Sequence, residues 1–257
     1  MIVQDAVSDR PARRKSLARR LWKLRRGTLA WRPLLITHAP CWLRRVFGGV
    51  GLHLDMLVVD HGIFRLVYRN EFRLGERAWR SAQPAPRDIR ILARQGLRTI
   101  VNLRGERQCG SYWLEQAACE RHGIALVDFR MRSRTPPTRE ELRGLHELFE
   151  RIEYPVLLHC KSGADRAGLA SVLYRYLKEG APMHEAKKEL SVRYGHFRHA
   201  DTGILDCFIE RFIEDTREQP MPFLEWVDTV YDCEQLKRSF RTRGWATRVV
   251  DCILRRE

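Results

Sequence analysis

The spacing of apolar positions changes period several times along the middle of the chain, and each change marks a new element. Ala85 to Arg94 carries a helical pattern ended by Gly96, and Leu97 to Leu103 follows as a β-branched apolar strand. Tyr112 to His122 reads as a second helix stopped by Gly123, and Ile124 to Met131 as another strand. After a loop with Pro136 and Pro137, Thr138 and Glu141 form a capping box, and Leu142, Leu145, Leu148, Phe149 and Ile152 make one apolar stripe. Val156, Leu157 and Leu158 form a short buried strand, and a helix runs on through Leu169, Val172 and Leu173. Beyond Gly180, Met183 to Tyr194 and Ile204 to Ile213 read as two more helices. The alternation predicts an α/β fold: a mainly parallel central sheet flanked by helices on both faces, with helical N- and C-terminal extensions. Such folds place ligands at the carboxyl ends of their strands.

The expected organisation is a basic leader over residues 1–50, a helical extension over 51–77, the main domain over 78–216 and a helical appendage over 217–257. Leu52 to Tyr68 reads as one helix, with Gly62 beside Asp60 and His61 as a helix-to-turn junction rather than a chemical group.

The candidate chemistry lies between the buried strand and the helix after it, in His159-Cys160-Lys161-Ser162-Gly163-Ala164-Asp165-Arg166-Ala167-Gly168. A short loop of small residues entering a helix N-terminus turns backbone N–H groups toward an anion, and the same field favours a thiolate. Cys160 is the candidate nucleophile. Arg166 is the candidate clamp, because its planar fork grips two oxygens of a phosphoryl group. Lys161, Ser162, Gly163, Ala164, Asp165 and Arg166 would together line the phosphate. A cysteine followed six positions later by arginine can arise by chance in so basic a chain; the strand before it, the small residues in the turn and Gly168 give the pair its weight. The rival reading is a buried, inert cysteine at a strand end.

Through His159, Cys160, Gly163, Arg166 and Gly168 the segment resembles the cysteine-dependent protein tyrosine phosphatase superfamily, in its compact bacterial dual-specificity type. Trp79 to Pro84 and Thr99 to Arg104 resemble the opening of that type, so the likeness covers roughly half the chain. It implies a phosphomonoester hydrolase working through a phosphocysteine, with no metal and no cofactor, and with His159 helping to hold the thiolate. It offers two general acids. Asp128 stands at an offset before Cys160 like that of the mobile acid loop, although it reads as part of a strand; Asp165 sits inside the phosphate loop as in myotubularin-type lipid phosphatases, and is preferred. Ala167 departs from the type, which carries Ser or Thr there to help the thiolate leave. A phosphorylated protein is the first substrate reading. A phosphoinositide or inositol phosphate, suggested by Lys161, is the second, and a phosphate-binding module with weak or no turnover is the third. Rhodanese-like and arsenate-reducing thiol enzymes share such loops, but Arg166 and His159 favour a phosphatase.

Charge adds a question rather than an answer. The 257 residues carry a formal net charge of +15, and the segment through Arg45 holds twelve Arg and Lys against only Asp5 and Asp9. That segment reads as a solvated tail, as a membrane-surface helix with Leu17, Leu21, Trp22 and Leu24 along one edge, or as a non-specific nucleic-acid contact. No specific nucleic-acid motif accompanies it. Seven cysteines without paired spacing predict neither a disulfide framework nor a zinc site, and so a reducing compartment. With no signal peptide pattern and too many charges between Leu43 and Val67 for a membrane span, the expected location is cytoplasmic, with peripheral association at the inner membrane face left open. On the membrane reading, deleting residues 1–30 lowers co-sedimentation with anionic liposomes; unchanged binding rules it out.

Overall fold

The computed structural model describes residues 68–240, and Met56 before them; all lie within the unit spanning 53–257. Apart from Met56 and Tyr68, the basic leader, the helix expected over Leu52 to Tyr68 and the end of the C-terminal appendage lie outside the described residues. Five strands form one sheet: β1 (Phe72–Arg73), β2 (Ala78–Ala82), β3 (Thr99–Asn102), β4 (Ala125–Asp128) and β5 (Val156–Cys160). Their order is β1-β2-β5-β3-β4, with β1 antiparallel to β2 and the other neighbours parallel. The expected mainly parallel sheet is therefore present, with β5, which carries the loop, at its centre.

Helices α1 (Pro86–Arg94), α2 (Gly110–His122), α3 (Arg139–Arg151), α4 (Asp165–Leu177), α5 (Met183–Ala186), α6 (Ile204–Glu218) and α7 (Phe223–Thr229) complete the described fold, with residues 233–240 also helical. Local chemistry sets several of their ends. Thr138 Oγ1 accepts from the Glu141 N–H while Glu141 Oε2 accepts from the Thr138 N–H, so the capping box opens α3 as expected. Gly123, in the left-handed region at φ +66°, closes α2.

The two-residue period of β3 and β5 divides the core. Ile100 and Leu157 pack with Ile89 and Leu92 of α1 and Ala118 and Cys119 of α2. Val101, Val156, Leu158 and Cys160 point into the other layer, with Leu142, Leu145 and Phe149 of α3, Leu169 and Leu173 of α4, Phe208 of α6 and Trp226 of α7. Helices thus cover both faces. Along β5 the same alternation sends Cys160 to the α4 side, and His159 contacts α2 on the opposite side.

One expected helix is not continuous. Met183 to Tyr194 breaks into the single turn α5 and two 3-10 turns, Lys187–Glu189 and Val192–Tyr194. The break has a cause: the Glu189 carbonyl and carboxylate both accept from Arg80, which turns Glu189 inward and takes its carbonyl out of any helical ladder. The strand expected over Ile124 to Met131 is regular only over Ala125–Asp128, although the Phe129 and Met131 N–H groups still donate to the Asn102 and Leu103 carbonyls, and the helix expected to end near Ile213 runs on to Glu218.

The chain after α6 is part of the main core. Trp226 is fully buried, its ring centroid lies 5.1 Å from that of Phe212 and 5.0 Å from that of Tyr231, and its indole N–H donates to Asp215 at 2.9 Å. Trp226→Ala is expected to lower unfolding free energy by about 3–5 kcal/mol. Urea denaturation measures this, and a loss below about 1 kcal/mol would show that α7 adds little to the core.

Candidate functional site

Cys160 closes β5 at the carboxyl edge of the sheet and is 2% exposed, at the foot of the loop. Lys161 and Ser162 are exposed, Gly163 and Ala164 are buried, and Asp165 and Arg166 open α4 half-buried. Gly163 has φ +75°, and a Cβ there would lie 2.7 Å from the Ala82 nitrogen and from the Ser81 carbonyl carbon, so both conformation and space require glycine.

Three consecutive loop carbonyls are tied down. Asn70 Nδ2 donates to Ser162 O at 2.8 Å, and Arg80 Nη2 donates to Gly163 O at 2.6 Å and to Ala164 O at 3.2 Å. Asn70 Nδ2 also reaches Tyr194 O at 2.9 Å. Arg80 is fully buried; its Nη1 donates to Glu189 O at 2.6 Å and to Glu189 Oε2 at 2.9 Å, and its guanidinium stacks 4.0 Å from the centre of the Tyr194 ring. Burial depresses the Arg80 pKa, and the bond to Glu189 leads the interactions that oppose it; a Cys160 thiolate is among the negative charges that favour the cation. Carbonyls drawn toward β2 leave the cysteine side of the loop to the start of α4 and its positive end. Neither Arg80 nor Asn70 was a candidate from sequence, where an arginine in a short segment and an asparagine outside any motif look like surface residues.

On the other face of β5 the His159 ring is fully enclosed, with Nε2 2.7 Å from Glu115 Oε1. The pair is at ion-pair distance without a well-aligned N–H. Glu115 Oε2 accepts from Gln83 Nε2 at 2.8 Å, and Gln83 Oε1 in turn accepts from Arg104 Nη1. The other ring nitrogen, Nδ1, lies 3.4 Å from Cys160 O. The network anchors the end of β5 to β2, to α2 and to the chain just after β3. Glu115 gave no sequence signal, since a carboxylate in a helix is normally solvated.

The two candidate acids occupy different places. Asp128 ends β4, which β3 separates from β5, so it stands about 10 Å across the sheet from the strand bearing Cys160. Its Oδ1 accepts from Asn102 Nδ2 at 2.7 Å and its Oδ2 from the Tyr112 hydroxyl at 2.6 Å. Burial, followed by that bond, pushes the Tyr112 phenol pKa up, which keeps it a donor. Asp165 lies within the loop, where its Oδ1 is 2.8 Å from His196 Nδ1; His196 Nε2 lies 2.7 Å from Asp206 Oδ2 on α6. Burial alone would lower the His196 pKa, but hydrogen bonds to the two carboxylates outweigh it and raise it to about 9. Nearby, His196 faces inward and Arg198 pairs with Glu210 at 2.8 Å.

The other cysteines differ. Burial, with Glu115 and Glu120 adding to it, pushes the Cys119 thiol up to about 12, an inert protonated group. Among the described residues none of the five cysteines is in a disulfide, no cluster of His, Cys, Asp and Glu could hold a metal ion, and no helix is long and apolar enough to cross a membrane.

Comparison with known proteins finds phosphatases. Dual specificity protein phosphatase TpbA of Pseudomonas aeruginosa strain UCBPP-PA14 is 30% identical over 123 residues, 47% of this chain and 53% of that protein. TpbA of strain PAO1 is 29% identical over 134 residues, 51% and 57% of the two chains. The chain spans about half the length of these curated relatives. The crystal structure of P. aeruginosa TpbA matches 59% of this chain and 91% of its own at 19% identity, with a TM-score of 0.48. A family model described as "DSP-PTPase phosphatase fused to NAD+ Kinase" matches residues 69–203, more than half of the chain and the whole of the loop. The chain belongs to that phosphatase family.

Proposed function

We propose that the chain is a dual-specificity-type phosphomonoester hydrolase that works through a phosphocysteine at Cys160. The observation that carries this is the loop itself: a cysteine at its foot, an arginine in the first turn of α4, and the carbonyls of Ser162, Gly163 and Ala164 held away by Asn70 and Arg80. A dianion docked there meets the N-terminus of α4, the Arg166 fork and the exposed Lys161. The Cys160 thiolate attacks phosphorus, and Arg166 holds the charge that develops on the non-bridging oxygens. Asp165, in the first turn of α4, supplies the leaving-group proton. Asp128 is the weaker choice, since both of its oxygens are engaged by Asn102 and Tyr112 and a strand intervenes.

The substrate is read first as a phosphorylated protein side chain. The exposure of Lys161 supports a phosphoinositide or inositol phosphate as the second reading. Ala167, fully buried in the first turn of α4, offers no hydroxyl to the departing thiolate, so the second step is the slower one.

Three outcomes follow for p-nitrophenyl phosphate. Cys160→Ser reduces turnover to background, and normal turnover in that variant would overturn the mechanism. Arg166→Lys keeps the charge but loses the fork, and kcat falls by about 10²–10³-fold. Rapid mixing of the wild-type protein gives a burst of nitrophenol close to one per enzyme before a slower steady rate; a linear trace from the start means that hydrolysis of the phosphocysteine is not limiting.

A further inference from the structure

Sequence reasoning about the general acid stops at Asp165, but the structure does not leave that carboxylate alone. His196 is 1% exposed and stands between two carboxylates, Asp165 at 2.8 Å from Nδ1 and Asp206 at 2.7 Å from Nε2. Asp206 is itself buried on α6. With an acceptor facing each nitrogen the ring has a place for two protons, which is the imidazolium form. The ring is brought there by the 3-10 turn Val192–Tyr194 and by Gly195, at φ +77°, next to Ala164 of the loop.

We propose that His196 is a positioning residue and proton store for Asp165: it fixes the loop carboxylate through Nδ1, loads it with the proton for the leaving group, and takes a proton back in the second step. The proposal rests on the phosphatase reading above and deepens it. A lone carboxylate in a basic loop is a poor general acid at neutral pH, because it is ionised there. Coupling to a buried imidazolium changes this, since the pair holds one proton that either partner can carry.

The steps balance. In the first, the Cys160 Sγ–P bond forms and the P–O bond breaks, with its electron pair going to the leaving oxygen. Asp165 relays the Nδ1 proton of His196 to that oxygen and is a carboxylate again at the end of the step. The ring is left neutral, still donating Nε2–H to Asp206. In the second step water attacks phosphorus and the S–P bond breaks, with its pair returning to sulfur as thiolate. The water proton passes to Asp165 and on to Nδ1. The products are the alcohol and hydrogen phosphate, and the enzyme ends as it began.

The titratable groups that face the ring are Asp165 from α4 and Asp206 from α6, and both favour the cation. The basic limb of activity on a poor leaving group is therefore set by the His196 pair, at a pH near 9, not by an isolated carboxylate.

The test compares phenyl phosphate, whose leaving group needs protonation, with p-nitrophenyl phosphate, whose leaving group needs it much less, across pH 5–10. Two full-length variants are used: His196→Gln removes the store, and Asp206→Asn keeps an oxygen for Nε2–H to bond while removing the charge. His196→Gln is expected to lose about 100-fold in kcat on phenyl phosphate at neutral pH and only a few-fold on the nitrophenyl ester. In Asp206→Asn the basic limb on phenyl phosphate moves down by about one pH unit or more. Equal losses on both esters, or an unmoved limb in Asp206→Asn, overturn the proposal. If His196→Gln does not fold, the limb in Asp206→Asn decides alone. A wild-type protein inactive on both esters would instead mean that the phosphatase reading itself has failed.

Discussion

A single buried guanidinium holds the candidate site in shape. Arg80 lies beneath the loop and donates to the carbonyls of Gly163, Ala164 and Glu189 as well as to the Glu189 carboxylate. A buried carbonyl left without a partner costs about 1–3 kcal/mol, so removing these bonds costs several kcal/mol and frees the loop to turn its carbonyls inward. The ion pair with Glu189 is not where the benefit lies, because desolvating two charges cancels much of their attraction. What the pair achieves is placement. With its charge balanced by Glu189, Arg80 can remain in the interior and spend its Nη2 on the loop.

The two-residue period of β5 adds the second constraint. Cys160 belongs to the layer that holds α4, whose N-terminus supplies the field for an anion, and the preceding residue, His159, is locked to Glu115 on the opposite side. A one-residue slip of β5 would exchange these faces and put the thiol against Glu115, where a negative charge opposes a thiolate. The parallel neighbours β2 and β3, with the Glu115–Gln83–Arg104 network at their ends, fix that register. On the α4 side the Asp165–His196–Asp206 array ties the same loop to α6, so the loop is held from below, from behind and from beyond its helix.

Much of this was legible in the sequence. The alternation of apolar periods gave the parallel sheet and the helices on both faces, Thr138 and Glu141 marked the start of α3, and the run from Val156 to Gly168 placed Cys160 and Arg166 at the carboxyl edge. The supports were not legible, for one physical reason: each is a polar residue at an interior position. Arg80 lies in the middle of β2, where a charge argues against a buried strand; Glu115 lies on a face of α2 that its composition does not mark as buried; and Asp206 reads as the solvated first turn of α6. Only their partners, on other elements, make these positions tolerable. The broken helix after Met183 has the same origin, because the Arg80–Glu189 contact overrides a local preference for continuing the turn.

Covalent capture tests the central claim most directly. Wild-type protein mixed with an aryl phosphate and quenched in acid within the first turnover is digested, and its peptides are analysed by mass spectrometry under conditions that preserve thiophosphate esters. The account predicts one phosphoryl group, carried on the sulfur of Cys160 and absent once the substrate is exhausted. Phosphate found on a histidine or on another cysteine, or efficient turnover with no labelled peptide, would contradict it.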